Sequence, residues 1–255
     1  MGVRPIHVAA WREVLLSVHS VATVKLRLAS LRGYFDWLVE RQHVALNPAA
    51  SVKSPKQSIA VGKTTCLEPA EVQALLAVID PTRMVGLRDR ALIGLMFFTF
   101  ARIGAALAVR CCDLKRRSNS TWIALNEKGG KIHEMPLHPQ AEEWIWEYWH
   151  IAQRDVAKEQ LLFRSIDRRT GKLSSREFLP ANAYIMVKKY GELAGLSTRV
   201  CNHTFRATGI TAYLNNGGTL EDAAKLANHV STRTTQLYDR RKEDVKLAEV
   251  RRISI

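Results

Sequence analysis

Relative to the opposite charge, acid is what this 255-residue sequence has least of: 24 Asp and Glu stand against 38 Lys and Arg, leaving a net charge of +14 and a pI near 9.9. Such a balance disfavours a neutral small-molecule partner and favours a polyanion, with nucleic acid first and a membrane surface second. Cysteine is scarce as well. Cys66, Cys111, Cys112 and Cys201 form neither a CxxC pair nor a spaced framework, which argues against disulfides and zinc and predicts reduced, partly buried thiols. No metal is implied. Long apolar runs are missing too: "ALIGLMFFTFA", which starts at Ala91, is too short to span a bilayer. With no signal-peptide pattern at the N-terminus, the chain is expected to be cytoplasmic. It contains no internal repeat and no low-complexity tract.

What is present is a globular chain, 47% hydrophobic and 24% charged, long enough for one large domain or two smaller ones. From Val21 to Leu38 the residues Val21, Val24, Leu28, Leu31, Phe35 and Leu38 step by three and four, which predicts one apolar face of a helix. "LNPAASVKSPKQSIAVGKTT", Leu46 to Thr65, has no such period, carries Pro48 and Pro55, and reads as a linker. The break predicts two domains: residues 1–50, a linker over 51–65, and residues 66–255. Residues 1–65 hold nine Lys and Arg against three acids, so the small domain is expected to touch nucleic acid too, unless its basic face is merely solvated.

Further along, "EPAEVQALL" predicts a helix with Pro69 in its first turn, and Arg88 to Val109 predicts a central core helix. Thr121–Leu125 and Ile132–Leu137 predict the strands of a β-hairpin around Gly129-Gly130, after which the pattern returns to helices. Trp144, Trp146, Tyr148 and Trp149 read as packing aromatics in preference to a base-stacking platform.

The densest chemistry lies between Asn202 and Arg241. His203 and Arg206 are three apart on a predicted helix ending at "NNGG", so both side chains lean to one face and can grip one ligand. "TLEDAAKLANH" predicts a second helix, N-capped by Thr219, that delivers His229 at its end; Tyr238 follows nine residues later. Each has a simpler reading when taken singly: a helix-terminal histidine, a packing tyrosine, a surface arginine.

Together, "HTFR", "LANH" and "LYDR" resemble the C-terminal signature of the tyrosine recombinases, the phage integrase family. Upstream, "GLRDRALIGLMFFTFARIGAALAVRCCDL" is similar to that family's first arginine box, with Arg102 at the arginine position. "EKGGKIHEMPL" is similar to its β-hairpin, with Lys128 at the lysine position and Lys131 as the competing choice. The resemblance covers essentially the whole chain. It implies a mostly α fold: a small helical core-binding (SAM-like) domain, then a mainly helical catalytic domain with a small antiparallel β-sheet.

It also implies a site-specific recombinase that cleaves and rejoins DNA through a covalent 3′-phosphotyrosyl intermediate, with no ATP and no cofactor. Tyr238 would be the nucleophile, Arg102 and Arg206 the phosphate clamp, and Lys128 the proton donor to the 5′-oxygen. His203 and His229 would bind the phosphate or manage the tyrosine proton. Its partners would be double-stranded recombination sites and copies of itself, a dimer on a site and a tetramer in the synaptic complex, in a bacterial or mobile-element setting at the nucleoid, with no membrane. Two rivals are a non-catalytic DNA-binding relative that occupies such sites and a type IB topoisomerase-like relaxing enzyme. The chain departs from the family's pattern at Ala105, where an acid is usual three residues after the first arginine, and at Asn228 and Phe100, where glycine is frequent. The first domain, with room for three helices between Pro5 and Pro48, is short for the family. The tail beyond Tyr238, with Leu247 and Val250 on a helical step, either pads its own core or docks on a neighbouring subunit.

Overall fold

A computed structural model describes residues 2–56, 62, 64–127, 129–152, 157–167 and 169–241 and divides the chain into two compact units, Met1–Ala60 and Val61–Ile255. Lys128 and the tail 242–255 lie outside the described residues. The fold is mostly helical with small antiparallel sheets. Among the described residues, no helix is long and apolar enough to cross a membrane.

Among its described residues the first unit contains α1 (Pro5–Val18) and α2 (Val21–Glu40), two helices where there was room for three. Ser20 caps α2 by accepting the Thr23 N–H. The predicted face of α2 packs as its spacing dictates, with Val24, Leu28 and Phe35 buried against Val8 and Leu15 of α1. The chain after α2 does not form a third helix because Arg32 and Asn47 hold it in turns. The Arg32 guanidinium donates to the Ala49 and Val52 carbonyls and to Ser54 Oγ, while Asn47 Nδ2 donates to the Arg32 carbonyl and to Asp36 Oδ1. Ala49 and Val52 are thereby buried in this unit's core, so Val52 packs with the first unit and does not hang free in the 51–65 linker.

The second unit begins with α3 (Pro69–Ala77), as Pro69 predicts, followed by α4 (Met84–Thr99) and α5 (Ile103–Leu107). The single helix expected over 88–109 is therefore two. The break is at Phe100, whose backbone is left-handed (φ 55°), and Arg102 N-caps the short helix that follows. A phenylalanine carries no sequence signal for that conformation. Its ring sits against Gly209 of the helix Asn202–Asn215, where a β-carbon would fall 2.1 Å from the Phe97 carbonyl oxygen, so only glycine allows the two helices this close.

Strands β1 (Leu114–Arg117), β2 (Ser120–Glu127) and β3 (Lys131–Pro136) form one antiparallel sheet in that order. The expected hairpin is β2–β3, in a register that pairs Glu127 with Lys131. A second hairpin, β4 (Arg164–Ile166) with β5 (Leu173–Glu177), lies where only helices were expected; its strands are short and polar and carry little alternation. Helices α6 (Pro139–Ala152), α7 (Pro180–Leu193), α8 (Asn202–Asn215), α9 (Leu220–Leu226) and α10 (Thr232–Gln236) complete the unit. Leu92, Leu95 and Met96 of α4 share its core with Ile123, Leu125, Ile145, Tyr148 and Phe205. Each such side chain contributes about 1.5–3 kcal/mol on burial, so α4 is the axis on which the sheet and α8 are fixed.

Candidate active site

Three elements bring four of the predicted residues into contact. On α8, His203 and Arg206 lie one turn apart and face the same way. α9 starts at Thr219, whose side chain accepts the Asp222 N–H, and ends in a reversal in which Asn228 is left-handed (φ 47°). There the Asn228 N–H donates to the Lys225 carbonyl and the His229 N–H to the Ala224 carbonyl, a helix-end pairing that asparagine tolerates in glycine's place and that turns His229 inward. The eight residues between His229 and Tyr238 hold α10, and the Tyr238 N–H donates to the Thr235 carbonyl.

The tyrosine hydroxyl lies 2.7 Å from His203 Nε2, and its ring stacks in parallel with the His229 imidazole, centroids 6.0 Å apart. Arg206, only 1% exposed, is fixed from several sides: Nη1 donates to the Phe100 carbonyl at the α4–α5 break, and Nη2 to the Ala227 carbonyl and to His229 Nε2 at 2.7 Å each. Guanidinium only donates, so His229 Nε2 accepts and its Nδ1 carries the hydrogen that goes to Thr235 Oγ1, 2.8 Å away. Among the described residues, Arg206 Nε has no hydrogen-bond partner, which leaves a buried donor for an incoming anion.

Arg102 approaches from the other side. Its side chain is 40% exposed, and Nη1 donates to Glu127 Oε2 at 2.6 Å; the Glu127 side chain is 4% exposed. Its charge reaches the group above. Arg206 is lowered to about 10 by burial first and by Arg102 second, and remains cationic at neutral pH. Burial, followed by Arg206 and Arg102, holds His203 below the usual imidazole range and His229 down at about 4. The site is therefore two cations, two neutral imidazoles and a phenol, suited to receive a phosphodiester and move one proton.

Of the residues expected to act, His203, Arg206, His229 and Tyr238 are in direct contact, and Arg102 lies within electrostatic reach. Lys128 is outside the described residues; Lys131, its competitor, is exposed at the start of β3. Sequence reasoning missed Glu127, Thr235, Thr211 and Gly62. Thr211 Oγ1 donates to the Tyr238 carbonyl, and the Gly62 N–H to that of Leu237, where a β-carbon on residue 62 would lie 2.8 Å from the oxygen. A signal existed for Glu127 alone: it continues the inward stripe Thr121, Ile123, Leu125 of β2. Among the described residues, no group of His, Cys, Asp and Glu is arranged to hold a metal.

A family model described as "Phage integrase family" matches residues 65–244. The protein named tyrosine recombinase XerD of Lacticaseibacillus casei is 28% identical over 217 residues, covering 85% of this chain and 71% of that protein. The one named tyrosine recombinase XerC of Escherichia coli O157:H7 is 30% identical over 219 residues, covering 85% of this chain and 69% of the relative. In fold, the chain is similar to the XerH site-specific recombinase bound to palindromic difH substrate: TM-score 0.70, 21% identity, 93% of this chain and 69% of that one. A lambda integrase(75-356) dimer bound to a COC′ core site matches with a TM-score of 0.67 at 16% identity, over 96% and 83%.

Proposed function

The chain belongs to the phage integrase family, and from that premise we propose that it is a site-specific DNA recombinase that cleaves and rejoins strands through a covalent 3′-phosphotyrosyl link to Tyr238. The reading rests on one observation above all, the Tyr238 hydroxyl 2.7 Å from the neutral His203 imidazole beside a buried arginine. Displacement at phosphorus builds charge on the non-bridging oxygens, and Arg206 and Arg102 supply preorganised, permanently charged donors for it. The Tyr238 oxygen bonds to phosphorus while its proton passes to His203 Nε2. The bond from phosphorus to the 5′-oxygen breaks, and that oxygen leaves with a proton from Lys128. Attack by a 5′-hydroxyl on the tyrosyl ester reverses every step, so no external energy source is needed.

The DNA partner is double-stranded, bound as a dimer on one site and a tetramer across two, in a bacterial or mobile-element setting. The helical first unit serves as a second, core-binding contact, joined by a linker to the catalytic domain. A non-catalytic DNA-binding relative would not require the tyrosine and histidine held this way. A nicked suicide substrate tests the reading: the wild type should accumulate a covalent protein–DNA adduct, and Tyr238→Phe should form none while binding the same DNA. Adduct formation by the phenylalanine variant would overturn the assignment.

A further inference from the structure

We propose that Glu127 is the positioning residue for Arg102, supplying the carboxylate that fixes this half of the phosphate clamp; the inference rests on the recombinase reading. Arg102 begins a helix, Ile103–Leu107, with no polar side chain to hold its guanidinium, and Ala105 is buried and uncharged. Glu127 comes from the other direction. The two-residue period of β2 turns Thr121, Ile123 and Leu125 inward, and the same period turns Glu127 inward beyond them. A carboxylate this buried is costly unless paired, and among the described residues Arg102 Nη1, 2.6 Å away, is its side-chain partner.

The pairing does more than satisfy a charge. Arg102 and Arg206 repel each other, as the effect of Arg102 on Arg206 shows, and both histidines are neutral and offer no anion. Glu127 offsets that repulsion and holds the exposed guanidinium toward the site. The ion pair engages Nη1; among the described residues, Nε and Nη2 of Arg102 make no hydrogen bond, so they are left for a phosphate. Because Lys128 follows Glu127 in the chain, the same pair ties the strand leading to it to the start of α5.

The test compares single-turnover cleavage of a nicked half-site at saturating DNA, half-site affinity by gel shift, and thermal melting. Glu127→Gln keeps the shape and removes the charge. Cleavage should fall by about 10- to 100-fold, with affinity and melting close to wild type, since a displaced clamp costs turnover before binding. In the Arg102→Ala background, Glu127→Gln should cost nothing further, because the carboxylate acts through that arginine. Cleavage within threefold of wild type, or a full additional loss in the double variant, would overturn the proposal. Faster cleavage would overturn it too, by showing that Glu127 competes with the phosphate. Should Glu127→Gln fail to fold, Glu127→Asp takes its place, with cleavage expected between wild type and the Arg102→Ala level. If the wild type itself forms no adduct, the recombinase reading fails first and Glu127 loses its role with it.

Discussion

Arg206 sits in the second turn of α8, buried and bonded to the Phe100 and Ala227 carbonyls and to His229, whereas Arg102 stands half-exposed at the start of α5 with, among the described residues, a single side-chain bond, to Glu127. The charge of both reaches His203 and His229, but different parts of the molecule hold them. Arg206 is fixed by backbone at two helix ends, so its position is as rigid as the packing of α4, α8 and α9. Arg102 is fixed by one side chain on a hairpin and can adjust. One of the two arginines thus belongs to the core of the fold, and the other hangs on a surface hairpin.

Substitution of the two arginines separates those roles most strongly. Arg206→Ala should abolish adduct formation and also destabilise the protein by about 2–4 kcal/mol, since it strands two buried carbonyls and a histidine nitrogen. In melting temperature that is roughly 5–10 °C. Arg206→Lys should not rescue either property, because an ammonium cannot reach three partners in one plane. Arg102→Ala should lower cleavage by about 10²–10³-fold, the cost of losing one preorganised donor, and should lower melting by less than Arg206→Ala does, the loss there coming from the buried Glu127 carboxylate left unpaired. Equal melting losses in the two variants would break the comparison.

The same contrast shows where the sequence was legible. His203, Arg206, His229 and Tyr238 could be found because helix spacing and a short intervening helix bring them together, and both are local properties of the chain. The neutrality of the two histidines and the burial of Arg206 were not legible: Arg206 taken singly reads as a surface cation, and its burial follows from carbonyls supplied by distant segments. In composition the α4–α5 break was hidden because the apolar run passes through Phe100 without glycine or proline, although the glycine frequent there in the family marked the position; the Phe100 ring lies against Gly209, more than a hundred residues away. Glu127 was hidden for a related reason, an inward charge continuing a strand whose partner lies on another element.

Titration offers a finer measure of the two arginines. His229 is held at about 4 against an ordinary 6.5, by burial, then Arg206, then Arg102. The folded state therefore binds fewer protons than the unfolded state between those values, and stability rises with pH across that window. The His229 contribution to stability should be fully present above about pH 6.5 and be lost as pH drops toward 4. Arg102→Gln should raise the His229 titration, read from its imidazole NMR signals, by less than a substitution at Arg206 does. A larger effect from Arg102 would reverse the ranking.

The smallest expected effect concerns what holds the rigid half in register. Thr235 is fully buried in α10; its hydroxyl accepts the His229 Nδ1–H and its carbonyl accepts the Tyr238 N–H, so one residue fixes both the imidazole and the Tyr238 backbone. Thr235→Val keeps the volume, the β-branch and the carbonyl, and removes only the hydroxyl. The His229 Nδ1–H then loses its acceptor in a partly buried place, a cost of about 1–2 kcal/mol in urea unfolding. The imidazole can recover by moving its hydrogen to Nε2, but that nitrogen faces Arg206, which needs an acceptor there. Cleavage should therefore drop a few-fold at unchanged DNA affinity, a smaller loss than at either arginine, because the tyrosine backbone stays anchored. If Thr235→Val cleaves like the wild type while losing stability, the hydroxyl supports the fold and not the orientation of His229 toward Arg206.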